Sequence, residues 1–373
     1  MARFLFVDPN TEHLLADAPR SVGGASVQAF AWLRGLLAIG EEVACVVKDP
    51  VDEHGVEGLH VFSGYQARGS VGYLTHQAPF LTSVIEEFRP DYVYQGAAGA
   101  ITGLVALLAR RHGFRFVHRL ANDADVDPRM RRRMRTATRI CYAYGLRKAS
   151  AVLCQTGYQS SQLRQRHPEK PTLKIYNPIW LAEIPEGCTE SDGEYVAWLG
   201  LFQRQKDLPA LLSVARSLPD LRFALAGRAV GRVDAGTRSA LAELRQLPNV
   251  DFVGYLRRAE VHAFLGRAHA LISTSRFEGF PNTYLEAWSV GTPVVTLKSA
   301  DPDGVVEREG LGAVGDTTDE LLPALQGIVD AGRRGPVNGR CLEYVRREHD
   351  AMVLSTRLRD WLAATFSQGN RAP

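Results

Sequence analysis

Two glutamates separated by seven residues, Glu278 and Glu286, frame the chemically densest stretch of this sequence, Ser273 to Val295. Between them stand Gly279, Phe280, Pro281, Asn282 and Thr283. Pro281 suits the first turn of a helix, where its missing N–H is no loss. The amides of Asn282, Thr283 and Tyr284 then stand free at a helix N-terminus, which attracts phosphate or diphosphate. Glu286 sits a turn further in and can accept hydrogen bonds from ribose hydroxyls. Glu278, in the loop ahead, can accept them from sugar hydroxyls. Gly291-Thr292-Pro293 turns the chain toward a following strand. A solvated loop or helix surface is the ordinary fate of either carboxylate, and their place in one block is what favours a ligand.

Such residues need a scaffold, and the hydrophobic pattern supplies one. Residues 3–7 read as a buried parallel strand, followed by the glycine-rich loop Val22-Gly23-Gly24-Ala25. A helix then carries Ala29, Phe30, Leu33, Leu36 and Leu37 on one face, and Gly40 ends it. Val43–Val47 is the next strand, with similar units at Tyr92–Tyr94 followed by 100–111, at Arg115–Val117 and at Ala151–Leu153. Turn-rich sequence at 177–194 marks a domain boundary. Strands then restart at Tyr195–Leu199, Arg222–Ala226, Asp251–Val253, Ala270–Ser273 and Pro293–Thr296, with helices near 207–218, 237–246, 259–267 and 282–290. Alternating strands and helices predict two α/β domains with parallel, doubly wound sheets. The expected limits are 1–177, 178–350 and a closing helix at 351–373. Ligands of such sheets bind at the carboxyl ends of the strands, here in a cleft between the two domains.

Composition excludes several classes. The chain has 373 residues, 45% hydrophobic and 23% charged, with a formal net charge of +3. These values exclude a disordered chain, a fibre and a long coiled coil, and the charge is too mild to argue for nucleic acid. The five cysteines, Cys45, Cys141, Cys154, Cys188 and Cys341, are odd in number and widely spaced. They read as reduced thiols of a cytoplasmic protein. No signal peptide is expected from the N-terminal residues. The longest uncharged apolar stretch, Gly96–Ala109, is 14 residues, shorter than the ~20 needed to span a bilayer.

The block E-G-F-P-N-T-Y-L-E followed by A-W-S-V-G-T-P-V-V resembles the C-terminal signature of retaining GT-B glycosyltransferases of the group called family 4. The Gly-Gly loop after the first strand, the G-x5-K segment from Gly200 to Lys206 and the run Phe252-Val253-Gly254-Tyr255-Leu256 are similar to further family features. The resemblance implies a GT-B fold of two facing Rossmann-like domains. It implies transfer of a sugar from a nucleotide-diphosphate sugar to an acceptor hydroxyl with retention of configuration. Glu278 would bind the donor sugar, with the backbone of Gly279, Phe280 and Pro281 near the anomeric carbon. Asn282 and Thr283 would offer amides to the diphosphate, Glu286 would bind the ribose, and Lys206 would neutralise the leaving group. Gly23 and Gly24 would let backbone approach the ligand, His118 would lie near the sugar, and Tyr255 and Leu256 would frame the base. No metal and no resident cofactor is implied, the nucleotide sugar being a co-substrate.

One departure stands out. The family carries an arginine after the glycine of the G-x5-K segment, where this chain has Leu201; Arg204, three residues on, is the candidate substitute. Leu201 motivates the alternative of a GT-B subunit that binds a nucleotide or a partner without transferring sugar. The run Asp123, Asp125 and Asp127 lacks a calcium loop's glycine and glutamate, having Pro128 and Met134 in their places; Asp123 is instead a candidate on the acceptor side. Six arginines between Arg129 and Arg139 form either a solvated face or a patch for anionic lipid or a phosphorylated acceptor. The expected setting is cell-surface polysaccharide or glycolipid assembly at the inner face of a membrane, with a soluble natural-product acceptor as the alternative.

Overall fold

A computed structural model describes residues 1–16, 22–51, 54–66, 76–127, 134–184, 193–332 and 335–367. Two units divide the chain: Met1–Trp180 with Asp350–Pro373, and Leu181–His349. The sequence reading placed these limits at 177 and 350.

The first unit is built on seven parallel strands: β1 (Arg3–Phe6), β2 (Glu42–Val47), β3 (His60–Ser63), β4 (Tyr92–Gly96), β5 (Arg115–Arg119), β6 (Ala151–Cys154) and β7 (Thr172–Lys174). Their spatial order is β3-β2-β1-β4-β5-β6-β7. Helices α1 (Glu12–Leu15), α2 (Gly24–Ala38), α3 (Ala78–Phe88), α4 (Ala100–His112), α5 (Thr136–Lys148) and α6 (Gly157–Arg166) connect them. Side chains along β1 alternate between two cores, as a strand period of two requires. Leu5 packs with residues of α3, α4 and α5, while Phe4 and Phe6 pack with α2 and the C-terminal helix. Gly35 lets that last helix approach α2: a Cβ there would lie 2.3 Å from Ser355 Oγ and 2.5 Å from the Ala351 carbonyl oxygen. That last helix opens at Ala351 behind Asp350, whose carboxylate accepts from the amides of Met352 (2.9 Å) and Val353 (3.0 Å).

The second unit holds β8 (Tyr195–Leu201), β9 (Phe223–Arg228), β10 (Val250–Gly254), β11 (Ala268–Ser273), β12 (Val294–Leu297) and β13 (Gly312–Gly315). The order is β10-β9-β8-β11-β12-β13, all parallel. The sequence reading gave five strands; β13 escaped it because Gly312-Ala313-Val314-Gly315 is too short and glycine-rich to register as a hydrophobic run. Helices α7 (Leu208–Ser217), α8 (Ala235–Leu244), α9 (Arg258–Gly266), α10 (Asn282–Trp288), α11 (Val305–Arg308), α12 (Thr318–Ala331) and α13 (Pro336–Glu348) complete the unit, and α14 (Ala351–Phe366) returns to the first. The doubly wound class expected from the sequence is therefore observed in both units. Among the described residues no helix is long and apolar enough to cross a membrane.

Of the arginine run, Arg129, Arg131, Arg132 and Arg133 lie outside the described residues, as does Cys188; Arg135 is exposed just before α5 and Arg139 lies within it.

His118, near the end of β5, is fully buried. Its Nδ1 lies 3.0 Å from the Gln95 carbonyl oxygen and 3.1 Å from Gln95 Oε1. Two acceptors at one nitrogen put the proton there. Burial lowers its pKa to about 4, with the Gln95 carbonyl partly opposing. The unfolded chain therefore binds the proton more readily, and stability falls as pH drops from 6.5 toward 4. His118→Asn removes this dependence. The stability gap between wild type and variant, measured by denaturant unfolding, should narrow by roughly 3 kcal/mol between pH 7 and pH 4; a gap independent of pH would show that the imidazole takes up its proton in the fold as readily as in the unfolded chain.

Candidate active site

In an open parallel sheet the crevice opens where neighbouring strands send their connections to opposite sides. In the second unit that point lies between β8 and β11, because the chain runs from β8 to β9 on one side and returns through β11 on the other. The loops leaving these two strands carry Lys206 and Glu278. Lys206 Nζ stands 2.8 Å from Glu278 Oε1, with the side chains 19% and 12% exposed. Gln205 Nε2 donates to the Phe277 carbonyl (2.9 Å) and to Glu278 Oε2 (3.2 Å). Thr274 Oγ1 donates to the Lys206 carbonyl (2.9 Å), and the Arg276 amide donates to the Gln205 carbonyl (2.9 Å). Arg276 also pairs with Asp207 at 2.7 Å. Backbone and side chains together fix the two loops as one rigid platform.

The helix behind the platform is equally constrained. Pro281 precedes α10 as its cap residue, so the helix begins at Asn282. The amide of Tyr284 donates to the Pro281 carbonyl (3.2 Å), which corrects the expectation of three free amides: the first helical turn already occupies the third. Asn282 and Thr283 head the helix. Gly279, Phe280 and Pro281 are buried. The Phe280 ring lies 5.0 Å from that of His349 and 6.4 Å from Trp288. Tyr284 Oη meets Thr296 Oγ1 at 2.7 Å, and Trp288 Nε1 donates to the Leu311 carbonyl at 3.2 Å. This aromatic packing explains the bulky residues between and after the two glutamates, and it fixes α10 against β12.

Glu286 is partly open to solvent yet densely surrounded. Burial raises its pKa, while the charges of Arg258 and Lys206 pull it back down. Among the described residues no hydrogen bond to its carboxylate is found. A carboxylate held in a cationic field without a donor is ready to accept from a ligand hydroxyl.

The remaining expected residues of this unit lie around the sheet's carboxyl edge. Tyr255 and Leu256 follow β10, with Tyr255 36% exposed and the Arg228 guanidinium 4.6 Å from its ring centre. Arg204 is exposed. Asp234 is held below the usual carboxylate range by the hydroxyl and amide of Thr237, with Arg204 adding a smaller share. Leu201 ends β8, in register with Arg228.

In the first unit, Gly23 caps α2 and Gly24 begins it, both with ordinary negative-φ backbone. A Cβ at Gly23 would meet nothing within 4 Å. Close steric need therefore does not dictate glycine there. Nearby Asp8, just past β1, accepts from Ser26 Oγ (3.0 Å) and the Asn10 amide (3.1 Å). Asp123 accepts from Thr156 Oγ1 (3.1 Å) and Gln159 Nε2 (3.0 Å), which ties it to the start of α6. Asp125 accepts from the amides of Ala121 and Asn122, and Asp127 from Tyr158 Oη. Asp125 thus closes the local turn, while Asp123 and Asp127 tie that turn to α6.

Comparison with known proteins decides the family. The model for glycosyl transferases group 1 matches residues 184–326, and that for the glycosyl transferase 4-like domain matches residues 23–177. The chain belongs to the group 1 glycosyl transferases. No curated protein sequence matches it. Among solved structures it is similar to sucrose-phosphate synthase from Thermosynechococcus elongatus, with a TM-score of 0.80 at 16% identity over 99% of this chain and 100% of that one. Anabaena Alr3699/HepE in complex with UDP-glucose gives 0.76 at 16% identity over 98% and 100%. A mutant of S. aureus TarM, in complex with fondaparinux, α-GlcNAc-glycerol and UDP, gives 0.73 at 10% identity over 98% and 100%. At these identities the likeness concerns the fold.

Sequence reasoning missed three side chains of this glycosyl transferase's edge: Gln205, Arg258 and Arg228. Gln205 lies inside the G-x5-K segment and was passed over between two cations. Arg258 opens α9, and only its field at Glu286 reveals it. Arg228 becomes visible through strand pairing alone.

An unpaired carboxylate in dense surroundings costs stability while it is charged. The raised pKa of Glu286 means that this cost is present above its folded pKa and absent below the unfolded one. Glu286→Gln should therefore raise unfolding stability at pH 7 by about 1 kcal/mol, and by nothing at pH 4. Denaturant unfolding of both proteins at the two pH values checks this, and a variant destabilised at pH 7 would show that the carboxylate is satisfied in the free protein.

Proposed function

We propose that this glycosyl transferase moves a sugar from a nucleotide-diphosphate sugar to an acceptor hydroxyl with retention of anomeric configuration. The observation that carries the reading is the Lys206–Glu278 pair at the switch point, beside the head of α10 and the undonated carboxylate of Glu286. A diphosphate leaving group develops negative charge as its bond to the anomeric carbon breaks. Lys206 and the dipoles at Asn282 and Thr283 meet that charge in fixed positions, so no metal ion is needed for the step. Glu278 accepts from sugar hydroxyls, Glu286 from the ribose, and the backbone of Gly279, Phe280 and Pro281 bounds the sugar. Tyr255 and Leu256 frame the base. Gly23 and Gly24 offer backbone to the ligand, and Asp123 lies on the acceptor side.

In this reading the acceptor oxygen forms its bond to the anomeric carbon on the face the diphosphate leaves. The bonding pair departs with the diphosphate, whose oxygen takes the acceptor proton. The products are a glycoside and a nucleoside diphosphate, and no protein nucleophile takes part. His118 is assigned no proton transfer, because its ring is buried and holds its one proton toward Gln95. UDP-glucose in the HepE complex and UDP in the TarM complex support a nucleotide-sugar donor here. Surface-polysaccharide or glycolipid assembly is the proposed setting, with the basic run Arg129–Arg139 drawing the protein to anionic lipid.

Thermal unfolding and calorimetry with UDP-, GDP-, dTDP- and ADP-sugars test the donor. One donor at a hundredfold excess over its Kd should stabilise the fold by ~2.7 kcal/mol, and Glu286→Ala should abolish the effect. A flat response to all four overturns the reading. Leu201 favours the competing subunit that binds without transfer, and slow hydrolysis of the bound donor to free sugar excludes it.

A further inference from the structure

Leu201 leaves the carboxyl end of β8 without a cation, and the neighbouring strand places one beside it. In the β8–β9 pairing, Gly200 is opposite Gly227 and Leu201 is opposite Arg228. Paired residues of parallel strands project from the same face, ~4.8 Å apart. The long side chain of Arg228 therefore has the reach of an arginine rooted at position 201.

Further observations bear on this residue. The strand ends are drawn together by glycine: Gly227 has φ +156°, and a Cβ there would lie 1.9 Å from the Gly200 carbonyl oxygen. The Lys206 stem passes over Gly200, its Cε 3.3 Å from where a Cβ would stand, so both cations serve the same two strand ends. Arg228 Nε is buried and has no hydrogen-bond partner, and no carboxylate pairs with the guanidinium among the described residues. Leaving a buried donor unpaired costs stability that a ligand acceptor would recover. The guanidinium is held over the Tyr255 ring, whose π face orients it without neutralising it. Arg204, by contrast, is exposed and lies in the field of Asp234.

We propose that Arg228 binds the diphosphate of the donor, supplying from β9 the cation that β8 lacks at Leu201. The inference rests on the nucleotide-sugar reading above. A planar guanidinium reaches two phosphate oxygens at once, which the Lys206 ammonium does not do.

Calorimetry tests it with UDP, GDP, dTDP and ADP, and with the nucleoside of whichever binds the wild type. Arg228→Ala should weaken the diphosphate by about 10- to 100-fold and the nucleoside by less than about twofold, with the thermal midpoint of the free protein retained. Leu201→Arg added to Arg228→Ala should restore diphosphate binding. Equal loss of diphosphate and nucleoside would mean that Arg228 acts through Tyr255 on the base, and the inference falls. An Arg228→Ala variant that binds the diphosphate as the wild type does also overturns it, while leaving the donor reading intact. A wild type that binds none of the four overturns the donor reading and this inference together.

Discussion

Two adjacent strands, β8 and β11, send their chains to opposite sides of one sheet, and the gap this leaves at their carboxyl ends must be closed by loops. The Lys206–Glu278 ion pair is central to how it is closed. An ion pair this little exposed gains from low local dielectric but carries a desolvation cost. Hydrogen bonds from Gln205 and Thr274 and the Arg276–Asp207 pair surround it and hold both loops in register. A site organised in this way has its charges in position before a ligand arrives. That is the condition under which electrostatic stabilisation of a leaving group is most effective.

Polar groups without protein partners then acquire meaning by contrast. Most buried polar groups in folded proteins find a partner. At this edge the Glu286 carboxylate accepts no hydrogen bond and buried Arg228 Nε has no partner among the described residues, while Asp123, Asp125 and Asp127 of the first unit are engaged by donors of their own turn and of α6. One acceptor and one donor, set on either side of Lys206 in the strand order, match the hydroxyl and phosphate ends of a nucleotide sugar.

Much of this was legible in the sequence, for physical reasons that differ by element. Long buried strands such as β8 and β11 announce themselves as apolar runs, and α2 by its periodic face, because both must bury surface. The Glu278–Glu286 block was legible because a strand, a tight loop and a helix start fall within one short stretch, leaving little freedom in where the carboxylates go. The strands β3, β7 and β13 were not: each lies at the edge of its sheet and is mostly partly or fully exposed, so it carries no apolar run, unlike the equally short but buried β1, β6 and β12. His118 read as a residue at a strand end, but Tyr142 of α5 packs on its ring and Gln95 holds its Nδ1 in the buried interior. Its burial depends on Phe116 and Tyr142, which no local spacing reveals. Arg228 was illegible for a related reason: its partner Leu201 is distant in sequence, and only sheet register brings them together.

A crystal structure with a bound nucleoside diphosphate tests the central claim most directly. The account predicts the ribose on Glu286 and the diphosphate between Lys206 and the head of α10. A nucleotide bound at any other edge of the second unit, with the Lys206–Glu278 platform empty, would contradict it.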